Sequence, residues 1–133
     1  MEDWELRIHE ILGEDSERSE ENAMRFSSHL TGNLRLPVKV TGREDFPWEE
    51  PYVLGGWSRT EYARLKKDNP SFTDSFELLE LLPSAENDDV QAKIKRTSDR
   101  KVFTIGLSWL QAEDESSKEF TLLDDYGMWH ANY

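Results

Sequence analysis

The stretch that most constrains the fold of this chain runs from Asp89 to Leu107. Apolar and polar residues alternate from Val90 to Lys95 and again from Phe103 to Leu107, on either side of a polar Ser98-Asp99 connection. Alternation of period two on both sides of a short polar turn is typical of two antiparallel strands with one buried face. The run therefore predicts a β-hairpin whose buried face the rest of the chain must cover.

Two helices are predicted ahead of this hairpin. Apolar residues recur at helical spacing from Trp4 to Leu12, with Gly13 just past the end as a C-cap. A second helix is predicted through Ala23 to Leu30, stopping near Gly32-Asn33. These are the elements expected to pack on the sheet.

Three further segments are predicted as strands, and one as a helix. Leu34 to Val40 alternates with period two, and Phe72 to Leu82 is apolar and closed by Pro83. Tyr52 to Gly56 is expected to be a short strand. Between Gly56 and Phe72, the run Ser58-Arg59-Thr60-Glu61 is a capping box that predicts the start of a helix of about two turns.

The C-terminal part is expected to return to the sheet. Ser108 to Leu110 is interpreted as a tight helical turn, and Lys118 to Leu123 as a short apolar-alternating piece. Trp129 and Tyr133 are expected to dock on the sheet and to bring Asp124-Asp125 with them. The chain as a whole predicts a single α+β domain, with N-terminal helices on a small antiparallel, SH3-like sheet of four to five strands.

Length and charge narrow the class of protein. A chain of 133 residues suits one domain, and a net charge of −12 disfavours nucleic acid and anionic membranes as partners. The composition contains no cysteine, which excludes disulfides and thiolate chemistry. No signal peptide or membrane-spanning run is recognised, so the expected location is the cytoplasm.

No catalytic motif is present. His9, His29 and His130 are isolated from one another, Gly55-Gly56 is turn chemistry rather than a phosphate loop, and no serine lies in a nucleophile elbow. Paired carboxylates do occur, but nothing in the sequence marks a substrate pocket around them. The sequence therefore indicates a protein that is not an enzyme.

Clustered carboxylates leave oxygen-only coordination of a hard cation as the candidate chemistry. Calcium accepts six to eight oxygen ligands in flexible geometry, and the twelve-residue EF-hand pattern is absent. Folding is expected to bring the acidic loop after the first strand to the acidic pair near the C-terminus, with one amide as a neutral ligand. The predicted ligands are Glu44, Asp45, Glu49, Glu50, Asp124, Asp125 and Asn132.

Two alternatives remain beside calcium. The acidic residues are also explained by solvation of the surface. The chain is also consistent with an acidic protein-interaction module, whose charge and whose tryptophans Trp48 and Trp57 dock on a basic partner.

A resemblance adds to this interpretation. The residues that carry it in the N-terminal part are Arg7-Ile8, Glu10-Ile11, Asp15, Glu20-Glu21, Ala23-Met24, Phe26, Leu30, Asn33-Leu34 and Leu36-Pro37-Val38. In the C-terminal part they are Val102, Ile105, Leu107-Ser108, Leu110, Trp129-His130 and the closing aromatic residue. In order and spacing they resemble the CcbP-type family of small bacterial calcium-binding proteins, known best from cyanobacteria.

The resemblance implies a cytoplasmic calcium-binding protein without EF-hands, with helices on a small antiparallel sheet and a role in calcium buffering or signalling. The ligand set named above follows from local chemistry and not from the resemblance.

Overall fold

The computed structural model describes all 133 residues and confirms a mixed α+β architecture. The helices are α1 (Asp3–Leu12), α2 (Glu20–Asn33), α3 (Glu50–Val53), α4 (Arg59–Leu65) and α5 (Lys118–Asn132). The strands are β1 (Val38–Gly42), β2 (Phe76–Glu86), β3 (Asp89–Arg96), β4 (Val102–Gly106) and β5 (Leu110–Ala112). Single 3-10 turns occupy Pro47–Glu49 and Leu107–Trp109. None of the helices combines the length and apolar character needed to cross a membrane.

The five strands form one antiparallel sheet in the order β4-β3-β2-β1-β5. The predicted hairpin is confirmed as β3 and β4, with Ala92 opposite Ile105 and Ile94 opposite Phe103. Strands β1 to β4 follow one another as a meander, and β5 returns to pair with β1. This is the strand order of an SH3-like sheet, with β4 and β5 at its two edges.

The buried face of the sheet is covered by α1, α2 and α5. Val90, Ala92 and Ile94 of β3 are fully buried, as their alternation predicted. Phe26 of α2 and Trp129 of α5 lie against this face, with their ring centroids 5.6 Å apart. The N-terminal helices therefore pack on the sheet as predicted, and the C-terminal helix completes the layer.

Strand β2 continues past Pro83, where the sequence predicted its end. The register of the pairing with β3 shifts between Leu81 and Ala85, and Pro83 lies within this irregular part. Proline has no backbone N–H, and at this position the sheet does not require one. The strand turns at Asn87 and Asp88, whose φ values of 52° and 61° are left-handed. Asparagine and aspartate tolerate this conformation, which two-residue hairpin turns require.

Other predicted elements differ from the structure in identifiable ways. Tyr52 to Gly56 is not a strand, because α3 occupies its start and a turn follows. Lys118 to Leu123 is the first half of α5, which Ser117 caps by accepting a hydrogen bond from the Phe120 N–H at 3.0 Å. Tyr133 docks on α1 rather than on the sheet, since its ring lies edge-on to His9.

Residues 43–75, between β1 and β2, leave the sheet as an excursion that carries α3 and α4. Its two ends meet where the Gly42 N–H donates to the Phe72 carbonyl at 3.1 Å. A Cβ on Gly42 would lie 2.5 Å from the Phe72 Cβ, so the close approach requires glycine. Buried Arg96 of β3 ties the excursion to the sheet by donating to the Lys66 and Lys67 carbonyls at 2.8 and 2.7 Å.

Candidate metal centre

Glu49, one of the predicted ligands, is fully buried and surrounded by protein donors. Its Oε2 accepts hydrogen bonds from the Tyr62 hydroxyl at 2.6 Å and the Ser71 hydroxyl at 2.7 Å. Its Oε1 accepts one from the Phe72 N–H at 2.8 Å and a longer one from the Phe46 N–H at 3.4 Å. In this position Glu49 holds the excursion together and does not face solvent.

The two C-terminal carboxylates of the predicted set are paired with arginines. Buried Asp125 accepts from Nε and Nη2 of Arg7 at 2.6 and 2.9 Å, and this hydrogen bonding raises the pKa of Arg7. Asp124 Oδ1 lies 3.0 Å from Nη2 of Arg43. Both carboxylates therefore already have a cationic partner within the chain.

An arginine, and not a pair of carboxylates, joins the segment after β1 to the C-terminal helix. Arg43 reaches from the excursion to Asp124 on α5, and its neighbour Glu44 lines the same cavity as Gly127 and His130. The guanidinium thus places a positive charge beside Asp124.

The remaining predicted ligands are not collected around one point. Glu44 and Glu50 are exposed, Asp45 is half-buried, and the amide of exposed Asn132 donates to the Met128 carbonyl at 2.8 Å. Nowhere in the chain do three histidine, aspartate or glutamate side chains form a group that fits a metal ion. The seven predicted residues therefore do not form a coordination cage in this structure.

An acidic cavity of about 760 Å³ lies where the segment leading into β1 meets the start of α5. Glu113, Asp114 and Glu119 line it, together with Arg35 and Lys39, so carboxylates outnumber cationic side chains. None of these three carboxylates is among the ligands predicted from the sequence. The signal that was available is the N-cap Ser117, which fixes the start of a helix and turns its first acidic residue toward this loop.

Glu119 is the distinctive residue of this cavity. Its Oε2 is buried and has no hydrogen-bond partner. A carboxylate oxygen removed from water without a donor costs free energy, and such atoms are rare in native structures. Asp114 nearby accepts from the Ser116 hydroxyl at 2.7 Å and the Ser116 N–H at 3.0 Å, which lowers the pKa of Asp114. The cavity therefore offers one unpaired buried oxygen beside an ionised carboxylate, which is a partial set of hard-cation ligands.

Trp57 and Trp48, the tryptophans expected to meet a partner, are placed differently. Trp57 is 58% exposed and lies edge-on to Tyr52, with centroids 5.6 Å apart. Tyr52 stacks on Tyr62 at 5.4 Å, and the Lys66 ammonium lies 4.3 Å from the Tyr62 ring centre. Trp48 is half-buried, and its indole N–H donates to a backbone carbonyl at 2.6 Å. Only Trp57 presents an open aromatic face.

Comparison with known proteins gives a match in structure only. No protein-family model matches the chain, and no curated protein matches its sequence. The crystal structure of Anabaena CcbP superimposes with a TM-score of 0.60 and 22% identity, over 96% of this chain and 89% of that one. A calcium-binding protein in its calcium-binding form superimposes with a TM-score of 0.58 and 20% identity, over the same shares of the two chains. The chain therefore has the fold of Anabaena CcbP, in agreement with the resemblance identified from its sequence.

Proposed function

We propose that this chain is a calcium-binding protein without EF-hands. The observation that carries the proposal is the shared fold, because a protein in a calcium-binding form superimposes on 96% of the chain. The net charge of −12 supports it, since an acidic surface raises the local concentration of divalent cations. A buffering or signalling role in the cytoplasm, rather than catalysis, is part of the proposal and follows the sequence interpretation.

The cavity at the start of α5 is the binding site that the geometry supports best. Calcium prefers carboxylate, carbonyl and water oxygens and tolerates irregular loops, whereas magnesium demands near-octahedral geometry and keeps its water. The unpaired Oε2 of Glu119 and the ionised Asp114 supply anchoring oxygens there, and Glu113 lines the same wall. The exposed Glu44 and the half-buried Asp45 follow Arg43 in the chain and are the alternative ligands from the sequence prediction.

Calorimetric titration with calcium, and with magnesium on the same sample, tests the function. We expect saturable calcium binding and weaker magnesium binding. Calcium at a hundredfold excess over its Kd adds about 2.7 kcal/mol to the free energy of unfolding and raises the Tm by about 10 °C for a domain of this size. Absence of both heat and Tm shift at millimolar calcium contradicts the proposal.

Matched variants locate the site. Glu119→Gln keeps the shape of the side chain but removes its charge, and we expect it to weaken calcium binding at least tenfold. Glu115→Gln changes an exposed acid outside the cavity and is expected to leave the affinity unchanged. If the loss instead follows the double substitution Glu44→Gln with Asp45→Asn, the ion binds beside Arg43 and not at the start of α5.

A second candidate function, docking on a basic partner, rests on the exposed aromatic face of the excursion. Trp57 presents ring surface to solvent beside half-buried Tyr52, and Lys66 already lies over the neighbouring ring of Tyr62. Aromatic faces attract arginine and lysine side chains by cation–π interaction. Binding of an arginine-rich peptide is expected to be lost in Trp57→Ala, retained in Leu54→Ala on the same exposed surface, and unaffected by a calcium chelator.

A further inference from the structure

We propose that the cavity between Arg43 and the end of α5 binds a small oxyanion, that is, a ligand with a carboxylate or phosphate group. The cavity measures about 450 Å³ and is separate from the acidic cavity at the start of the same helix. Arg18, Arg43 and His130 line it, with Glu44 as its one acidic side chain. In a chain of net charge −12 this is a local reversal of charge. The proposal goes beyond calcium binding and does not depend on it.

The guanidinium of Arg43 is held in place but incompletely satisfied. Its Nη2 is paired with Asp124 at 3.0 Å, and its backbone N–H donates to the Trp109 carbonyl at 2.9 Å. Its Nη1 is buried and has no hydrogen-bond partner. A buried N–H of a charged group without an acceptor costs free energy, and an oxyanion that accepts from Nη1 removes this cost.

Gly127 of α5 makes room for this guanidinium. A Cβ at this position would lie 2.3 Å from Nη1 and 2.6 Å from Cζ of Arg43, closer than any real contact. The guanidinium therefore lies directly on the bare helix backbone. Gly127 is in the interior of a helix, where glycine is less favourable than alanine, and the position of Arg43 accounts for its presence.

His130 and Arg18 also line the cavity. Nε2 of His130 is buried and has no partner, while its ring is held against Tyr126 with centroids 6.4 Å apart. Arg18 donates from Nη1 to the His130 carbonyl at 3.0 Å, which caps the carbonyl end of α5 and leaves its other N–H groups without a partner in the chain. Three side chains that carry nitrogens without a partner in the chain thus line one cavity.

The chemistry of the lining defines the class of ligand. A guanidinium donates two parallel hydrogen bonds to a carboxylate or a phosphate, which is the geometry that arginine recognises best. A metal cation is disfavoured here because two arginines line the cavity with only one carboxylate. Trp109, Met128 and Ala131 provide an apolar wall, which suits an anion carrying a small apolar body.

Anion titrations followed by NMR on the intact protein test this proposal. Inorganic phosphate and benzoate are added separately at constant ionic strength, with chloride as the reference. We expect saturable shifts of the Arg43 Nε–H and His130 ring signals with at least one of the two. Saturation by phosphate alone identifies a phosphate ligand, and saturation by benzoate alone a carboxylate ligand. Shifts no larger than those given by chloride, for both anions at tens of millimolar, overturn the proposal.

Two variants separate binding from folding. Gly127→Ala places a methyl group where the guanidinium lies, and the flexible Arg43 side chain must move away, while the helix itself gains from alanine. We expect this variant to fold and to bind the anion at least tenfold more weakly, as does Arg43→Gln. Gly32→Ala in α2 is the control, because a Cβ there meets nothing within 4 Å. Unchanged anion affinity in both Gly127→Ala and Arg43→Gln refutes the assignment.

Discussion

Replacing Glu49 distinguishes a structural carboxylate from a calcium ligand. Removal of the side chain in Glu49→Ala leaves the hydroxyl of fully buried Ser71 and the N–H of Phe72 without their acceptor. Each buried donor left unpaired costs about 1–3 kcal/mol, and truncation of the glutamate stem adds lost packing. The expected loss in free energy of unfolding is about 4 kcal/mol.

Glu49→Gln is predicted to be milder, because an amide oxygen can still accept from the Phe72 N–H. The amide nitrogen then faces the hydroxyls of Tyr62 and Ser71, which rotate to accept instead of donate. What is lost is the charge assistance of these hydrogen bonds, so we expect a loss of about 1–2 kcal/mol. Glu50→Ala, at the exposed neighbouring carboxylate, is expected to change stability by less than about 0.5 kcal/mol.

Urea unfolding of the three variants measures these differences, and a tyrosine titration adds an independent readout. Burial first, and then the hydrogen bond to Glu49, raises the pKa of Tyr62 to about 12. A folded-state pKa above the usual value means that the neutral phenol stabilises the fold below pH 10, and that this contribution is lost as pH rises from 10 to 12. In Glu49→Ala the pKa of Tyr62 is expected to fall while staying raised by burial.

If Glu49→Ala unfolds at the same urea concentration as the wild type but no longer binds calcium, Glu49 is a metal ligand and does not hold the excursion together. If it is destabilised and still binds calcium, the carboxylate has the internal role described here.

Two further predictions concern the attachment of the excursion. Gly42→Ala brings a Cβ against the backbone of Phe72, which cannot move aside, and is expected to cost about 2–3 kcal/mol in urea unfolding, whereas Gly32→Ala is expected to be neutral or stabilising. Asp99 has its pKa lowered to about 2, chiefly by the hydrogen bond from Arg96, so its contribution to stability is present above about pH 4 and lost as pH falls toward 2. The difference in urea midpoint between wild type and Asp99→Asn should shrink across that interval; a constant difference contradicts the assignment.

The sheet was predictable from sequence where local patterns carry enough information. The alternation from Val90 to Leu107 specified both strands of the hairpin and its buried face, since a shift of one residue would expose every apolar side chain. Strand β5, with three residues, is too short to show any period. Lys118 to Leu123 was misinterpreted because six residues fit either period, although the N-cap at Ser117 indicated a helix.

The candidate site was less predictable because pairing of charges depends on tertiary contacts. Glu49 accepts from Tyr62 and Ser71, which lie 13 and 22 residues away along the chain. Asp125 is paired with Arg7 across 118 residues. From the sequence alone, every carboxylate is available as a ligand. In the folded chain, several carboxylates are buried and accept hydrogen bonds from other residues of the protein. The burial of the unpaired Glu119 oxygen likewise depends on tertiary contacts that the sequence does not show.

The contact between Gly42 and Phe72 also has a consequence for how this architecture can vary. Because Gly42 and Phe72 are hydrogen-bonded, the chain leaves the sheet and returns to it at two positions that are held next to each other. The entropic cost of closing a flexible loop rises only with the logarithm of its length. Segments of very different length can therefore connect these two positions at a similar cost in free energy. The segment between β1 and β2 can thus be replaced by one of another length without a change in the register of the strands.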